Sequence, residues 1–239
     1  HGDHNFCKDI NLMELYPMRI IITAATTQEW MPSFQKINPS YTGNNKKFSV
    51  GFHESGIGML ASSVSLMKMF VQETPSLIIQ VGIAGSFDKK IPLGKVLAVK
   101  DDFAGDIGVK ENKVWKDLFD MKFDKPNDPP YEKKSLPNPF LQQYNLLKLP
   151  TKKGVTVNTI STDKFTIDLF KNRYKASLES MEGASLHYIG RDLHVPFIQL
   201  RAVSNYVGER NKAKWKIHEA IYNLNETLLN YVDALHKTI

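Results

Sequence analysis

Cysteine is all but missing from this chain. Cys7 is the only one in 239 residues, so no disulfide can close within the chain and no thiolate cluster can hold a metal. That usage suits a reducing compartment, and a cytoplasmic protein is expected. Also missing is any run of about 18 apolar residues, the length a membrane-spanning helix needs. The first residues lack the basic-then-apolar pattern of a secretory signal. Charge of one sign is in only mild excess: 31 Lys and Arg against 25 Asp and Glu leave a net +6. The basic residues are scattered rather than gathered in a stripe with aromatics, which argues against a nucleic-acid partner. A mild positive balance suits an anionic small substrate instead. Histidine offers no metal site, since His53, His187, His194 and His218 lack partners at ligand spacing and the His1 and His4 pair is incidental. No metal and no cofactor are expected, and no membrane contact. Repeats and low-complexity tracts are absent too.

What is there has the profile of one globular domain, 42% hydrophobic and 23% charged, long enough for a single large core. Strand and helix patterns alternate: a strand at Met18–Ala25, a helix to about Ile37, a strand at Phe48–Phe52, a helix at Gly58–Gln72, and strands at Leu77–Val81 and Val96–Val99. This rhythm predicts an α/β fold with a mixed or parallel sheet covered on both faces. Residues 1–17 precede the first strand and are expected to lie outside the catalytic fold, which runs over 18–239. The span Lys116–Pro150 holds six of the twelve prolines (126, 129, 130, 137, 139 and 150). It reads as an insertion with one short helix near Leu141–Leu147, placed to cover the site or a subunit contact. An amphipathic helix from about Ala213 to Leu235 ends the pattern.

The segment with most chemical content begins at Val195–Val203 (VPFIQLRAV), an almost unbroken apolar run that predicts a buried parallel strand. Ser204 and Asn205 follow at its C-terminal end, the place where open α/β sheets present side chains to ligands. The same two residue types also begin turns. A second segment, Ser180–Ser185 (SMEGAS), puts Glu182 at the start of the amphipathic helix Gly183–Asp192. A carboxylate beside small residues can accept hydrogen bonds from a sugar diol; it also complements a helix dipole.

Together these segments resemble the nucleoside phosphorylase and nucleosidase superfamily. There a Met-Glu-Gly/Ala segment, here Met181-Glu182-Gly183, holds the ribose, and a later Arg-Ala-x-Ser-Asp/Asn segment, here Arg201–Asn205, holds the purine. The Ser-Asn-x-Val-Gly-x-Arg ending, followed by Trp215, is most similar to the futalosine hydrolases, enzymes of menaquinone biosynthesis. The resemblance runs from about Met18 onward. It implies a single-domain three-layer α/β/α fold around a central mixed, twisted sheet, a nucleoside substrate, and a homodimer or larger homo-oligomer.

By the same resemblance Glu29, after the strand Met18–Ala25, falls where nucleosidases carry the carboxylate that activates water. Gly58, in Glu54-Ser55-Gly56-Ile57-Gly58, would bring backbone amides close to an anion or water. Ser76–Ser86 would line the ribose. In Val155–Thr166, Phe165 would give a ring to the base and Thr166 its backbone. Arg210 would pair with a carboxylate on the substrate's sugar-side extension, or stand as a solvated arginine. The phosphorylases clamp phosphate with arginines from the first half of the fold, whereas this chain has none between Arg19 and Arg173. With Glu29 repelling an anion, hydrolysis is expected rather than phosphorolysis. Asn205 replaces the more frequent Asp. It cannot act as an acid, but its NH2 can donate to a six-oxo group and the neighbouring ring nitrogen. The expected reaction is hydrolysis of the N-ribosidic bond of futalosine, releasing hypoxanthine. A purine nucleoside phosphorylase, a methylthioadenosine/adenosylhomocysteine-type nucleosidase and a non-catalytic nucleoside-binding protein are the alternatives.

Overall fold

A computed structural model describes residues 18–37 and 48–238. The expectation for residues 1–17 lies outside the described residues. Ten strands are seen among those described: β1 (Met18–Ala24), β2 (Phe48–Glu54), β3 (Leu77–Ser86), β4 (Val96–Asp102), β5 (Gly108–Glu111), β6 (Val114–Asp117), β7 (Leu136–Pro137), β8 (Thr151–Thr156), β9 (Leu178–Ser180) and β10 (Phe197–Tyr206). Six α-helices accompany them: α1 (Met31–Lys36), α2 (Met59–Glu73), α3 (Leu141–Tyr144), α4 (Lys164–Asn172), α5 (Gly183–Asp192) and α6 (Ile217–Thr238). All strands but the β5–β6 hairpin join one eight-stranded mixed sheet. In it β2, β1, β3 and β10 run parallel, and β4 lies antiparallel to β10. β8 then pairs with β4, β9 with β8, and β9 returns to the end of β3. Strands β3, β10, β4, β8 and β9 therefore close into a ring, with β1 and β2 extending from it as an open sheet.

Side-chain alternation explains the layers. Successive residues of a strand face opposite sides. Thus Ile20 and Ile22 of β1 pack with Ala220, Leu224 and Leu228 of α6, while Ile21 between them packs with Leu66, Met69 and Phe70 of α2 and with Leu186 of α5. Strand β3 repeats the split, with Leu77, Ile79 and Val81 on the α6 side and Ile78 on the other. This is the three-layer α/β/α arrangement around a mixed sheet that the sequence predicts.

The differences from the expected elements have local causes. The first helix is divided into a 3-10 turn at Thr27–Glu29 and α1, which has Pro32 in its first turn. Helix α3 stops at Tyr144 because the Asn145 side chain bonds both backbone groups of Leu149, at 2.9 Å each, and closes a turn instead. The last helix starts at Ile217 rather than Ala213, because Asn211 caps a separate 3-10 turn through Ala213 N. The 116–150 segment packs behind the sheet: Phe140 meets Phe197, and Arg191 bonds the carbonyls of Pro130 and Pro137.

Candidate active site

A cavity of about 300 Å³ opens where β1, β3 and β10 end and where β9 turns into α5. Of the residues expected at a site, Glu29, Met181, Glu182, Ser204 and Asn205 line it. No residue of 116–150 does, so that insertion does not form its wall.

Glu29 is 8% exposed and sits at the end of the 3-10 turn that follows β1. Its Oε1 accepts from Ile83 N at 3.0 Å, and its Oε2 from Thr26 N at 3.2 Å. The turn itself is fastened from across the chain: Asn225 of α6 donates to Glu29 O (2.9 Å) while its Oδ1 accepts from Ser33 N (2.9 Å). Burial pushes the Glu29 carboxyl above the usual glutamate range, against the pull of the Arg201 charge and the Ile83 amide. A carboxylate so placed is a competent base for a water in the cavity.

Glu182 stands at the N-terminus of α5, with Gly58 N donating to its Oε1 at 3.2 Å and Arg201 Nη1 lying 3.4 Å from its Oε2. Gly58 thus holds the carboxylate, and it does so at a φ of 88°, which favours glycine. Arg201 is 2% exposed, in the middle of β10. It is opposite Gly82 of β3, where any Cβ would collide with its guanidinium. Its Nη2 donates to Gln80 Oε1 at 3.2 Å. Behind it, the Gln199 amide satisfies every neighbour in one orientation: oxygen on Arg201 Nε (3.0 Å), NH2 toward Asp102 Oδ2 (3.2 Å) and His187 Nε2 (2.8 Å). Asp102 also accepts from Thr156 Oγ1 and Phe103 N. Complete burial pushes Asp102 up to about 7, and burial pulls His187 down to about 4.

The raised Asp102 value has a thermodynamic sign. An acid that holds its proton more tightly when folded leaves the folded state disfavoured as pH rises from its unfolded pKa through its folded one. Asp102→Asn lacks this term. Its stability relative to the parent is therefore expected to improve between pH 4 and 7, by up to about 4 kcal/mol, and then to level off. Urea denaturation of both proteins at several pH values reads the difference.

At the other end of the cavity a β-bulge decides which side chains are presented. Residues pair in step from Phe197 with Ile78 to Val203 with Ala84, and then Asn205 rather than Ser204 pairs with Gly85. Without the extra residue Asn205 would share a face with Arg201 and Val203; with it, Asn205 turns to the face of Ile83. Ser204 Oγ lies 2.8 Å from Asn205 Oδ1, and Asn205 Nδ2 donates to Tyr206 O at 3.3 Å. This fixes the amide with its NH2 as the group left with a proton to give. Trp215 closes the outer wall, its Nε1 bonded to Glu209 O (2.9 Å). The exposed Arg210 lies over the Trp215 ring, 5.6 Å from its centre.

Phe165 and Thr166 are not brought into this cavity. They line a neighbouring one of about 230 Å³ that shares only Ile160 with it. The cause is helix capping: Asp163 accepts from Thr166 N at 3.1 Å and starts α4, so that amide is already occupied. The Phe165 ring instead carries Lys110, whose Nζ is 4.1 Å from its centre.

No individual role is read in the sequence for Gln80, Gln199, Arg201, Asn225 or Glu179; Gln80 and Arg201 enter only as members of the segments that the resemblance sets along the ribose and the purine. The first three share one signal, a polar residue interrupting a buried apolar strand, which is costly unless partnered. Asn225 shows the same interruption on the apolar face of α6. Among the described residues no group of His, Cys, Asp and Glu could hold a metal ion, and no helix is long and apolar enough to cross a membrane.

Comparison with known proteins agrees with this geometry. Residues 25–237 match the model of the phosphorylase superfamily. The chain is 28% identical to a futalosine hydrolase of Thermus thermophilus over 70% of its own length and 74% of that protein's. It is 23% identical to a 5'-methylthioadenosine/S-adenosylhomocysteine nucleosidase of Bacillus velezensis, over 82% and 85%. A solved structure of a futalosine hydrolase mutant of Helicobacter pylori superposes with a TM-score of 0.74 at 19% identity, covering 90% of this chain and 99% of that one.

Proposed function

The chain belongs to the phosphorylase superfamily, and from that premise we propose that it is an N-glycosyl hydrolase that cleaves futalosine at its N-ribosidic bond and releases hypoxanthine. The observation that carries the reading is the convergence of Glu29, Glu182 and Asn205 on one cavity. Both groups of relatives support a nucleosidase. In the proposed reaction Glu29 takes a proton from water, while Glu182, held by Arg201 and Gly58 N, engages the ribose hydroxyls and stabilises positive charge on the sugar. Met181 and Ser204 complete the walls. Asn205 donates to the six-oxo group and the adjacent ring nitrogen as the base leaves. Arg210, exposed over the Trp215 ring and outside the cavity lining, receives the substrate's carboxylate. Phosphate is disfavoured as nucleophile by the Glu29 charge. A cytoplasmic place, within menaquinone biosynthesis, follows from the same reading.

A methylthioadenosine/adenosylhomocysteine-type nucleosidase is the second reading, favoured by the wider coverage of such relatives. Turnover of futalosine, inosine and methylthioadenosine, each with and without phosphate, separates the readings. Futalosine without phosphate is the expected best case. Asn205→Asp should then shift the ratio of kcat/KM from futalosine toward its six-amino analogue. A mispaired buried polar group costs about 1 to 3 kcal/mol, so the shift should be about tenfold or more. An unchanged ratio in a folded variant removes Asn205 from base recognition.

We also propose a homodimer. On α2 the side chains of Leu60, Val64, Met67 and Val71 form one stripe and are 79%, 50%, 41% and 75% exposed. An apolar stripe at this spacing is a helix-packing seam. Light scattering is expected to give about twice the 27.2 kDa chain mass, and Leu60→Glu a species of one chain.

A further inference from the structure

Arg201 is oriented from behind by a side chain that stands outside the cavity lining. Gln199 comes two residues before it on β10, so both project from the same face of the strand. Gln199, Asp102 and His187 are all fully buried. The direction of the Gln199 amide follows from His187, whose Nδ1 lies 2.6 Å from Leu136 O. A carbonyl only accepts, so Nδ1 carries the proton. Burial pulls the His187 pKa down to about 4 and leaves the ring neutral, and Nε2 must then accept. Asp102 Oδ1 already accepts from Thr156 Oγ1 (2.9 Å) and Phe103 N (2.8 Å), which leaves Oδ2 for Gln199. The two protons of the Gln199 NH2 thus go to His187 Nε2 and Asp102 Oδ2, and its oxygen is left to Arg201 Nε.

The far end of this chain of bonds belongs to the 116–150 segment. Leu136 and Pro137 make β7, paired with Asp102 and Asp101 of β4. That strand is fixed by Arg191 Nη1 on Pro137 O (2.8 Å) and, one residue on, by Asn138 Nδ2 on Phe197 O (2.9 Å). At the near end the network reaches Glu182 by two routes. Arg201, held at Nε, brings Nη1 to the carboxylate. Thr156 Oγ1, while donating to Asp102, accepts from Ala184 N at 2.8 Å and so seats the first turn of α5, where Glu182 stands. Gly183 admits the close approach, since a Cβ there would collide with both Asp102 and the Gln199 amide.

We propose that Gln199, its amide keyed by His187 and Leu136 O, is a positioning residue that aims Arg201 at Glu182, and that the 116–150 segment acts on the site through it without lining the cavity. The part played by Glu182 rests on the nucleosidase reading; the keyed amide does not. Turned the other way, the amide would set its oxygen against two acceptors and its NH2 against a guanidinium N–H, a costly arrangement in a buried network. One orientation is thereby selected, and the guanidinium is selected with it.

Two measurements test this. Long-range proton–nitrogen NMR correlation of the histidine-labelled parent reads the His187 tautomer, its signal being assigned by absence from His187→Phe. A proton on Nδ1 and a bare Nε2 are expected; a proton on Nε2 overturns the proposal whatever the substrate. Kinetics read the consequence. Gln199→Leu deprives Arg201 Nε of its acceptor, so kcat/KM for futalosine should fall about tenfold or more, while the Kd for free hypoxanthine stays within about twofold of the parent's. A loss of packing alone would not separate the two. Gln199→Glu keeps an oxygen for Nε and should recover most of the lost kcat/KM. Equal losses in the two variants, or a parallel loss of hypoxanthine affinity, overturn the positioning role. A parent that hydrolyses no nucleoside overturns the nucleosidase reading and leaves the tautomer to decide this one. The tautomer also decides alone should Gln199→Leu not fold.

Discussion

Glu29→Gln is expected to lower kcat by about a thousandfold, because removing a positioned general base typically forfeits 10²- to 10⁴-fold. Affinity for free hypoxanthine should remain close to that of the parent, since the base end of the cavity is untouched. The substitution is nearly isosteric, and the new amide can keep its oxygen on Ile83 N. Its NH2 then faces Thr26, where the backbone N–H at 3.2 Å can no longer be satisfied. Thr26 Oγ1, at 3.4 Å, can turn to accept instead. A stability loss of about 1 kcal/mol is therefore compatible with a folded, inactive protein. The pH dependence gives a second check. Only the ionised carboxylate removes a proton, and Glu29 holds its proton to higher pH than an ordinary glutamate. Parent kcat/KM should fall as pH drops, with a midpoint above the usual range, and the residual rate of the variant should lack that limb. Near-normal turnover by Glu29→Gln would remove this residue from the chemistry.

Arg201→Met should have the largest effect on stability. The guanidinium is buried among Glu182, Gln80 and Gln199. Taking one partner from a buried ion pair leaves an uncompensated charge and costs about 3 to 5 kcal/mol. Adding Glu182→Met to Arg201→Met should restore much of that loss, because the stranded charge is gone. The double variant should nevertheless remain inactive, for the carboxylate proposed to hold the ribose is gone as well. Urea denaturation of both single variants and the double variant provides the coupling. Were the double variant no more stable than Arg201→Met, the loss would come from packing around the long side chain rather than from the Glu182 charge.

The fold was legible because its main signal is periodic. Apolar runs such as Leu77–Val81 could only be buried strands, and Gly183–Asp192 was predicted to the residue. Placement at strand ends likewise brought Glu29, Met181, Glu182, Ser204 and Asn205 to one cavity. Other parts depend on partners that no local pattern names. The bulge at Ser204 is a mismatch between two strands, so neither sequence contains it alone. The placement of Phe165 turned on whether Asp163 would cap a helix, a choice made by one side chain. Arg201 stood in plain sight within VPFIQLRAV, and its isolation among apolar neighbours was the clue to its partners.

The bond from Asn225 to Glu29 O spans 196 residues. During synthesis, the turn bearing the base leaves the ribosome long before the helix that fastens it. At about 5 to 20 residues per second the interval is roughly 10 to 40 s. Through that time Glu29 is present without the Asn225 that fastens its turn. On the proposed function the general base is fastened only once α6 has been made, so hydrolytic competence is expected as a late event of translation rather than one that accumulates with chain length.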